Sequence, residues 1–107
     1  MVGEFEYLIL TAAVQIREAA YGAAIRAKIE EATGKHCSIG ALYTTLDRLE
    51  KKGLIKTHMG DPTPERGGRA KRLVQVTAAG ARAAEDFYSA VMKVTRGISW
   101  QTIRNRS

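Results

Sequence analysis

Residues Ser38–Ile55 read SIGALYTTLDRLEKKGLI. Ser38 is a good helix N-cap, and Gly53 stands where a C-terminal stop belongs. Between them Ile39, Leu42, Leu46 and Leu49 recur at steps of three and four, an apolar stripe that must face a core. The opposite stripe, Ala41, Thr44, Thr45, Arg48 and Lys52, is short, hydrogen-bonding or cationic and holds no carboxylate. Such a face lets the backbone come close to a polyanion and suits a DNA groove.

Upstream, Phe5, Leu8, Ile9, Ala12 and Ile16 share one face of a helix expected over about Glu4–Arg17, with a break at Glu18–Ala20. A second helix is expected from Tyr21 to about Ala32 through Tyr21, Ala24, Ile25, Ile29 and Ala32, ended by Thr33 and Gly34. Only a few residues then precede Ser38. That spacing fits a helix-turn-helix, whose second helix enters the major groove while the first braces it.

After Gly53 the period changes to two. Leu54–Met59 and Arg72–Thr77 read as strands, joined by GDPTPERGGRAK from Gly60 to Lys71, which holds both prolines of the chain. Helix-turn-helix followed by a hairpin is the order of a winged helix, with this loop as the wing. Arg66, Arg69, Lys71 and Arg72 surround the tight pair Gly67 and Gly68, an arrangement suited to phosphate contact or to an arginine in a narrow minor groove. A charged hairpin tip with no partner is the plain alternative, and Asp61 and Glu65 dilute the charge.

The charge is placed to match. The chain of 107 residues carries 17 Lys and Arg against 11 Asp and Glu, a formal net charge of +6. Residues 1–34 hold three bases and five acids, residues 35–72 nine and four, and residues 73–107 five and two. Excess cation centred on a polar helix face and its following loop points to nucleic acid.

Length implies one folded unit, small enough to gain from dimerisation. The single cysteine, Cys37, excludes an internal disulfide and fits a reducing compartment. Glu4 and Glu6 stand where a secretory signal needs bases, and no apolar run is long enough to span a membrane, so the expected location is cytoplasmic.

Thr77 opens a last helix in which Ala84, Phe87, Val91, Val94 and Ile98 alternate steps of three and four, the spacing of a coiled-coil seam. The expectation is a homodimer through this helix, with Phe5 and Ile9 covering the seam, as two half-sites suit a DNA reader. Packing of the stripe on the chain's own core is the alternative. Trp100, the single tryptophan, lies just past the seam and is the candidate to stack on a small aromatic effector, or else to clamp the chain end.

Enzymatic and metal chemistry find little support. His36 and Cys37 are adjacent and cannot easily converge with His58 alone on a tetrahedral ion. There is no nucleophile with a base and an orienter, no phosphate-binding glycine loop opening a helix, and no close carboxylate pair in an apolar setting. No cofactor or metal and no catalytic residue is expected. Tyr43 reads either as a phosphate-positioning hydroxyl or as a half-buried brace. Arg48 reads as a contact to a guanine edge or phosphate, or as a surface pair with Asp47 or Glu50.

The helix run SIGALYTTLDRLEKKGLI, the later GDPTPERGGRAKR and the strand ending in VTAAG resemble, in order and spacing, the PadR family of bacterial transcriptional regulators over approximately Gly3–Ala84. The resemblance implies a winged helix-turn-helix repressor, dimeric through its C-terminal region, acting on operators of detoxification, efflux or phenolic-stress genes. Carried over, Ser38, Ala41, Leu42, Tyr43, Thr44, Thr45 and Arg48 fall on the recognition helix. Gly67, Gly68, Arg69, Lys71 and Arg72 fall on the wing. Leu73 and Val74 stand where the family often has an aromatic pair. The short C-terminal region, with one helix after Thr77, resembles the compact branch.

The expected architecture is therefore mainly α with a two-stranded β-wing. Residues 1–76 form a winged helix-turn-helix for double-stranded DNA, and residues 77–107 form the C-terminal dimerisation helix and tail. The rival reading is a winged-helix protein-interaction module that has lost DNA binding.

Overall fold

The computed structural model describes residues 1–60 and 71–106. In chain order it comprises α1 (Glu4–Ile16), a 3-10 turn (Arg17–Ala19), α2 (Gly22–Thr33), α3 (Ile39–Lys51), β1 (Ile55–Met59), β2 (Arg72–Val76), α4 (Ala78–Thr95) and α5 (Trp100–Arg106). The first three helices wrap one core, in which Ile9, Leu10, Ile25, Leu42, Leu46, Leu49 and Ile55 are fully buried. Each such side chain contributes about 1.5–3 kcal/mol of transfer free energy. Leu42, Leu46 and Leu49 are the inward stripe of α3, as their spacing requires. Ile39 is a correction: its expected place on that stripe puts it in the first turn, beyond the reach of the packed helices, and it is 54% exposed.

Local signals set the element ends. Ser38 Oγ accepts from the Ala41 amide at 3.3 Å, Gly34 ends α2 in a left-handed conformation, and Gly53 (φ 75°) follows α3. α1 stops one residue before its expected end because Arg17 adopts φ 62° and turns the chain into the 3-10 segment.

The hairpin is antiparallel, pairing Ile55 with Val76, Thr57 with Val74 and Met59 with Arg72. Its free side is tied to the start of α2, because the Val74 amide donates to Ala20 O at 2.7 Å and Tyr21 bridges to Leu73. Thr77 joins hairpin to α4: its hydroxyl donates to Gly53 O at 2.7 Å and accepts from the Gly80 amide at 3.1 Å. Gly80 lies against the chain entering β1, where a β-carbon would meet Leu54 O at 2.1 Å.

α4 begins in the core and leaves it. Ala84 packs against the core and Phe87 stacks on Tyr7 with ring centroids 4.9 Å apart, whereas Val91 and Val94 are 45% and 83% exposed. Two expectations are corrected here. The chain beyond Thr77 forms two helices, broken around Gly97 (φ 81°), so that Ile98 lies in the link and not on α4. Ile9, expected at the dimer seam, faces the monomer core and is 0% exposed, because Leu10 and Ala13 share the buried side of α1 with it. The radius of gyration, 16.2 Å, exceeds the roughly 13 Å of a compact chain of this length, consistent with a projecting C-terminal arm. No helix among the described residues is long and apolar enough to cross a membrane.

Candidate nucleic-acid interface

The exposed side of α3 carries Ala41, Tyr43, Thr44, Asp47, Arg48 and Lys51. Thr44 and Arg48 point outward as expected, and Arg48 forms no ion pair among the described residues. Ala41 is open to approach. Ser38 is exposed, with its hydroxyl oxygen occupied by the cap, and Leu42 is buried.

Two residues of the expected outward stripe lie elsewhere. Thr45 is a correction: it is 6% exposed and its hydroxyl donates to Ala41 O at 2.7 Å. A threonine can be buried on a helix when its hydroxyl finds the carbonyl one turn back. Lys52 turns away to Glu6, with Nζ 3.0 Å from Oε2. That carboxylate also accepts from the Gly3 amide at 3.0 Å, so α1 and α3 are clamped at one end. The Gly3 N–H, aided by Lys52, holds the Glu6 carboxyl below its ordinary value despite the opposing effect of burial.

The face is also not free of acid. Asp47 shares the exposed side of α3 with Thr44 and Lys51, at the far side of Lys51 from Thr44. With 3.6 residues per turn, Asp47 falls about 60° from Thr44, closer than Thr45 at about 100°. That angle was the available signal for both residues. Asp47 is not free, however. Arg72, at the root of the hairpin, places its guanidinium 3.1 Å from Asp47 Oδ1 and 3.0 Å from Glu50 Oε1. Glu50 in turn accepts from the amide and hydroxyl of Thr57 on β1. The Thr57 hydroxyl is the main cause, and Arg72 a further one, that keeps the Glu50 carboxyl below its ordinary value against desolvation.

Tyr43 packs its phenol against the start of α2, where a β-carbon on Gly22 would meet its hydroxyl at 2.5 Å, and it remains 39% exposed. Lys71 is exposed, with Nζ 4.1 Å above the Tyr21 ring, a cation–π contact that steers its charge towards this edge. Tyr21, Gly22, Tyr43, Met59 and Lys71 thereby line one shallow cleft beside the hairpin root. Arg66, Gly67, Gly68 and Arg69, the remaining wing candidates, lie outside the described residues.

The helical surface, its cap, its outward cation and the hairpin beside it form a winged helix-turn-helix. A family model described as the transcriptional regulator PadR-like family matches residues 9–86. The chain belongs to that family. No curated protein matches the chain. Among solved PadR-like relatives, a PadR family transcription regulator from Clostridium difficile is 28% identical, with 89% of this chain and 100% of that chain covered and a TM-score of 0.63. Halobacterial RosR, from H. salinarum, is 27% identical over 98% of this chain and 87% of that one, with a TM-score of 0.67. A PadR-like transcriptional regulator from Bacillus cereus shares the fold at a TM-score of 0.68, with 24% identity over 94% of this chain and 88% of that one. PadR membership makes this a DNA-binding regulator by fold.

The remaining candidates divide. Phe5 is half-buried against the core, and Ala84 and Phe87 pack within the monomer, while Val91, Val94 and Ile98 are exposed. Tyr88 and Met92, which the heptad spacing passed over, are exposed beside them at 54% and 50%. Trp100 opens α5 at 71% exposure. Cys37 is buried in the α2–α3 turn, its amide donating to Glu30 Oε2 at 2.8 Å and its carbonyl accepting from Arg26 Nε at 2.6 Å. Burial, reinforced by the Glu30 charge, pushes its thiol up, so it stays protonated. Among the described residues no three His, Cys, Asp or Glu side chains gather as a metal site.

Proposed function

We propose that this PadR-like chain is a dimeric repressor that occupies an operator and excludes polymerase. The observation that carries the reading is the exposed Thr44–Arg48–Lys51 surface of α3, whose arginine forms no ion pair among the described residues. In this reading α3 lies in the major groove, where Thr44 and Arg48 meet base edges and Ala41 allows close approach. Ser38 and Tyr43 sit at the groove margin and position phosphates. Lys71, with Arg66, Gly67, Gly68 and Arg69, follows the neighbouring backbone.

Residues 1–76 supply DNA binding, and residues 77–107 supply the contact with a second copy. Support for that division is the exposed apolar run Tyr88, Val91, Met92 and Val94 on the outer half of α4. Ile98 and Trp100 extend it, and a small aromatic effector stacking on Trp100 would act at this junction. The regulated genes belong to detoxification, efflux or phenolic stress, and the protein works in the cytoplasm.

A gel shift of the purified protein on DNA upstream of its own gene tests the reading. Retardation resisting competitor DNA is the expected result, and Arg48→Ala should change the preference among operator variants by roughly 1–3 kcal/mol at one base pair. A protein that retards no DNA above competitor would favour an interaction module.

A further inference from the structure

The Arg72 guanidinium faces inward to two carboxylates, although its place in the wing suggests a DNA contact. One terminal nitrogen, Nη1, is bound to Asp47 and the other, Nη2, to Glu50, both on α3. We propose that Arg72 is a positioning residue that makes the acidic edge of α3 tolerable to a polyanion and sets the hairpin root against that helix. The inference rests on the DNA-binding reading above.

Three observations carry it. First, Asp47 sits on the same exposed side of α3 as Thr44, Arg48 and Lys51, and these four line one surface depression. A carboxylate there faces the phosphates as soon as α3 enters a groove, and like charges brought into a poorly solvated interface repel strongly. Arg72 supplies the compensating charge within hydrogen-bond distance.

Second, Arg72 is not free to leave. Its side chain is 30% exposed, and Glu50 is held from the other side by the Thr57 amide and hydroxyl. A swing towards a phosphate would abandon two charge-assisted bonds and leave Asp47 without its cation. Third, Arg72 pairs with Met59 at the last rung of the hairpin. Its grip on α3 therefore fixes the point from which the wing departs, and Lys71 lies immediately beyond it.

Direct contact and positioning make opposite forecasts for one double variant. The operator duplex found upstream of the gene is titrated by fluorescence anisotropy with wild type, Arg72→Gln, Asp47→Asn and the pair R72Q/D47N, each at several salt concentrations. Positioning requires Arg72→Gln to weaken binding about tenfold or more, because an uncompensated carboxylate then faces the duplex. Asp47→Asn alone should bind at least as well as wild type, and adding it to Arg72→Gln should restore most of the loss with the wild-type salt slope. A phosphate contact would instead leave the double variant as weak as Arg72→Gln, with a slope lower by about 0.9. That result overturns the inference, as does an Arg72→Gln protein that binds normally.

If Arg72→Gln does not fold by circular dichroism, Arg72→Lys takes its place. Lysine keeps the charge but lacks the planar fork whose two terminal nitrogens each hold one carboxylate, so positioning still requires a loss that Asp47→Asn relieves, and a phosphate contact, which needs only the charge, requires no loss. Failure of the wild-type protein to bind any duplex removes the DNA-binding reading itself, and this inference with it. Normal wild-type binding with no rescue by Asp47→Asn removes the inference alone.

Discussion

Tyr43 on α3 rests on Gly22 at the start of α2, so closely that a β-carbon at position 22 would stand 2.5 Å from the phenol oxygen and 2.8 Å from the carbon that bears it. The contact seats the start of α2 against α3 and leaves Tyr43 partly exposed beside the candidate groove face. Gly22→Ala should displace the ring. Because the obstructed atoms are the far end of a side chain that can swing, the stability cost should be about 1 kcal/mol, at the low end of overpacking. Operator binding should fall further than stability does. Thermal melting and anisotropy on the same samples check this, and an unchanged affinity would mean that the hydroxyl position is immaterial.

Gly80 presents the opposite case, because the obstruction is backbone. A β-carbon there would lie 2.1 Å from Leu54 O and 2.9 Å from Val76 Cγ1, so α4 and the entry to β1 would have to part. Gly80→Ala should therefore destabilise by about 3 kcal/mol, at the upper end of overpacking costs. Urea denaturation followed by circular dichroism measures it, and an unshifted midpoint would contradict the close approach.

Acid should loosen the clamp between α1 and α3. The carboxyl of Glu6 is held below its ordinary value of 4.5 by the Gly3 N–H first, and also by Lys52. A depressed folded-state pKa contributes stability that is fully present above the unfolded value and is lost as pH falls through the folded one. Melting temperature should thus drop as pH falls from about 5 to 3, and Glu6→Gln should show a shallower drop from a lower neutral-pH starting point. Parallel curves for the two proteins would show that Glu6 is not responsible.

Much of this fold is written locally. Ser38 and Thr77 are caps whose hydroxyls accept from Ala41 and Gly80, and the leucines at 42, 46 and 49 can face only one way. What escaped a reading of spacing depended partly on contacts distant in sequence and partly on local bonding that apolar spacing does not register. Thr45 is polar but satisfied by its own helix, so it could be buried. Lys52 is drawn to Glu6, 46 positions earlier, and Asp47 is compensated by an arginine 25 positions later. Ile9 and Leu10 are both apolar neighbours, and only the arrangement of α2 and α3 shows that both turn inward. The break before α5 has a local cause in Gly97, but the heptad spacing runs through it to Ile98.

The outer half of α4 should hold two copies together. Val94 is 83% exposed and touches little in the monomer, so Val94→Asp should leave folding intact while placing charge in an apolar seam. Light scattering should give the wild-type protein twice its chain mass of 11.7 kDa and the variant the single mass. Equal masses for both would place any dimer contact elsewhere.

The central claim concerns which surface meets the duplex. Amide shift mapping of the nitrogen-15-labelled protein with its upstream operator locates that surface directly. The largest changes should fall on Thr44, Arg48, Lys51 and Lys71, with Tyr43 and the start of α2 beside them and the core leucines little moved. Changes confined to α4 and α5, with α3 undisturbed at saturating DNA, would contradict the account.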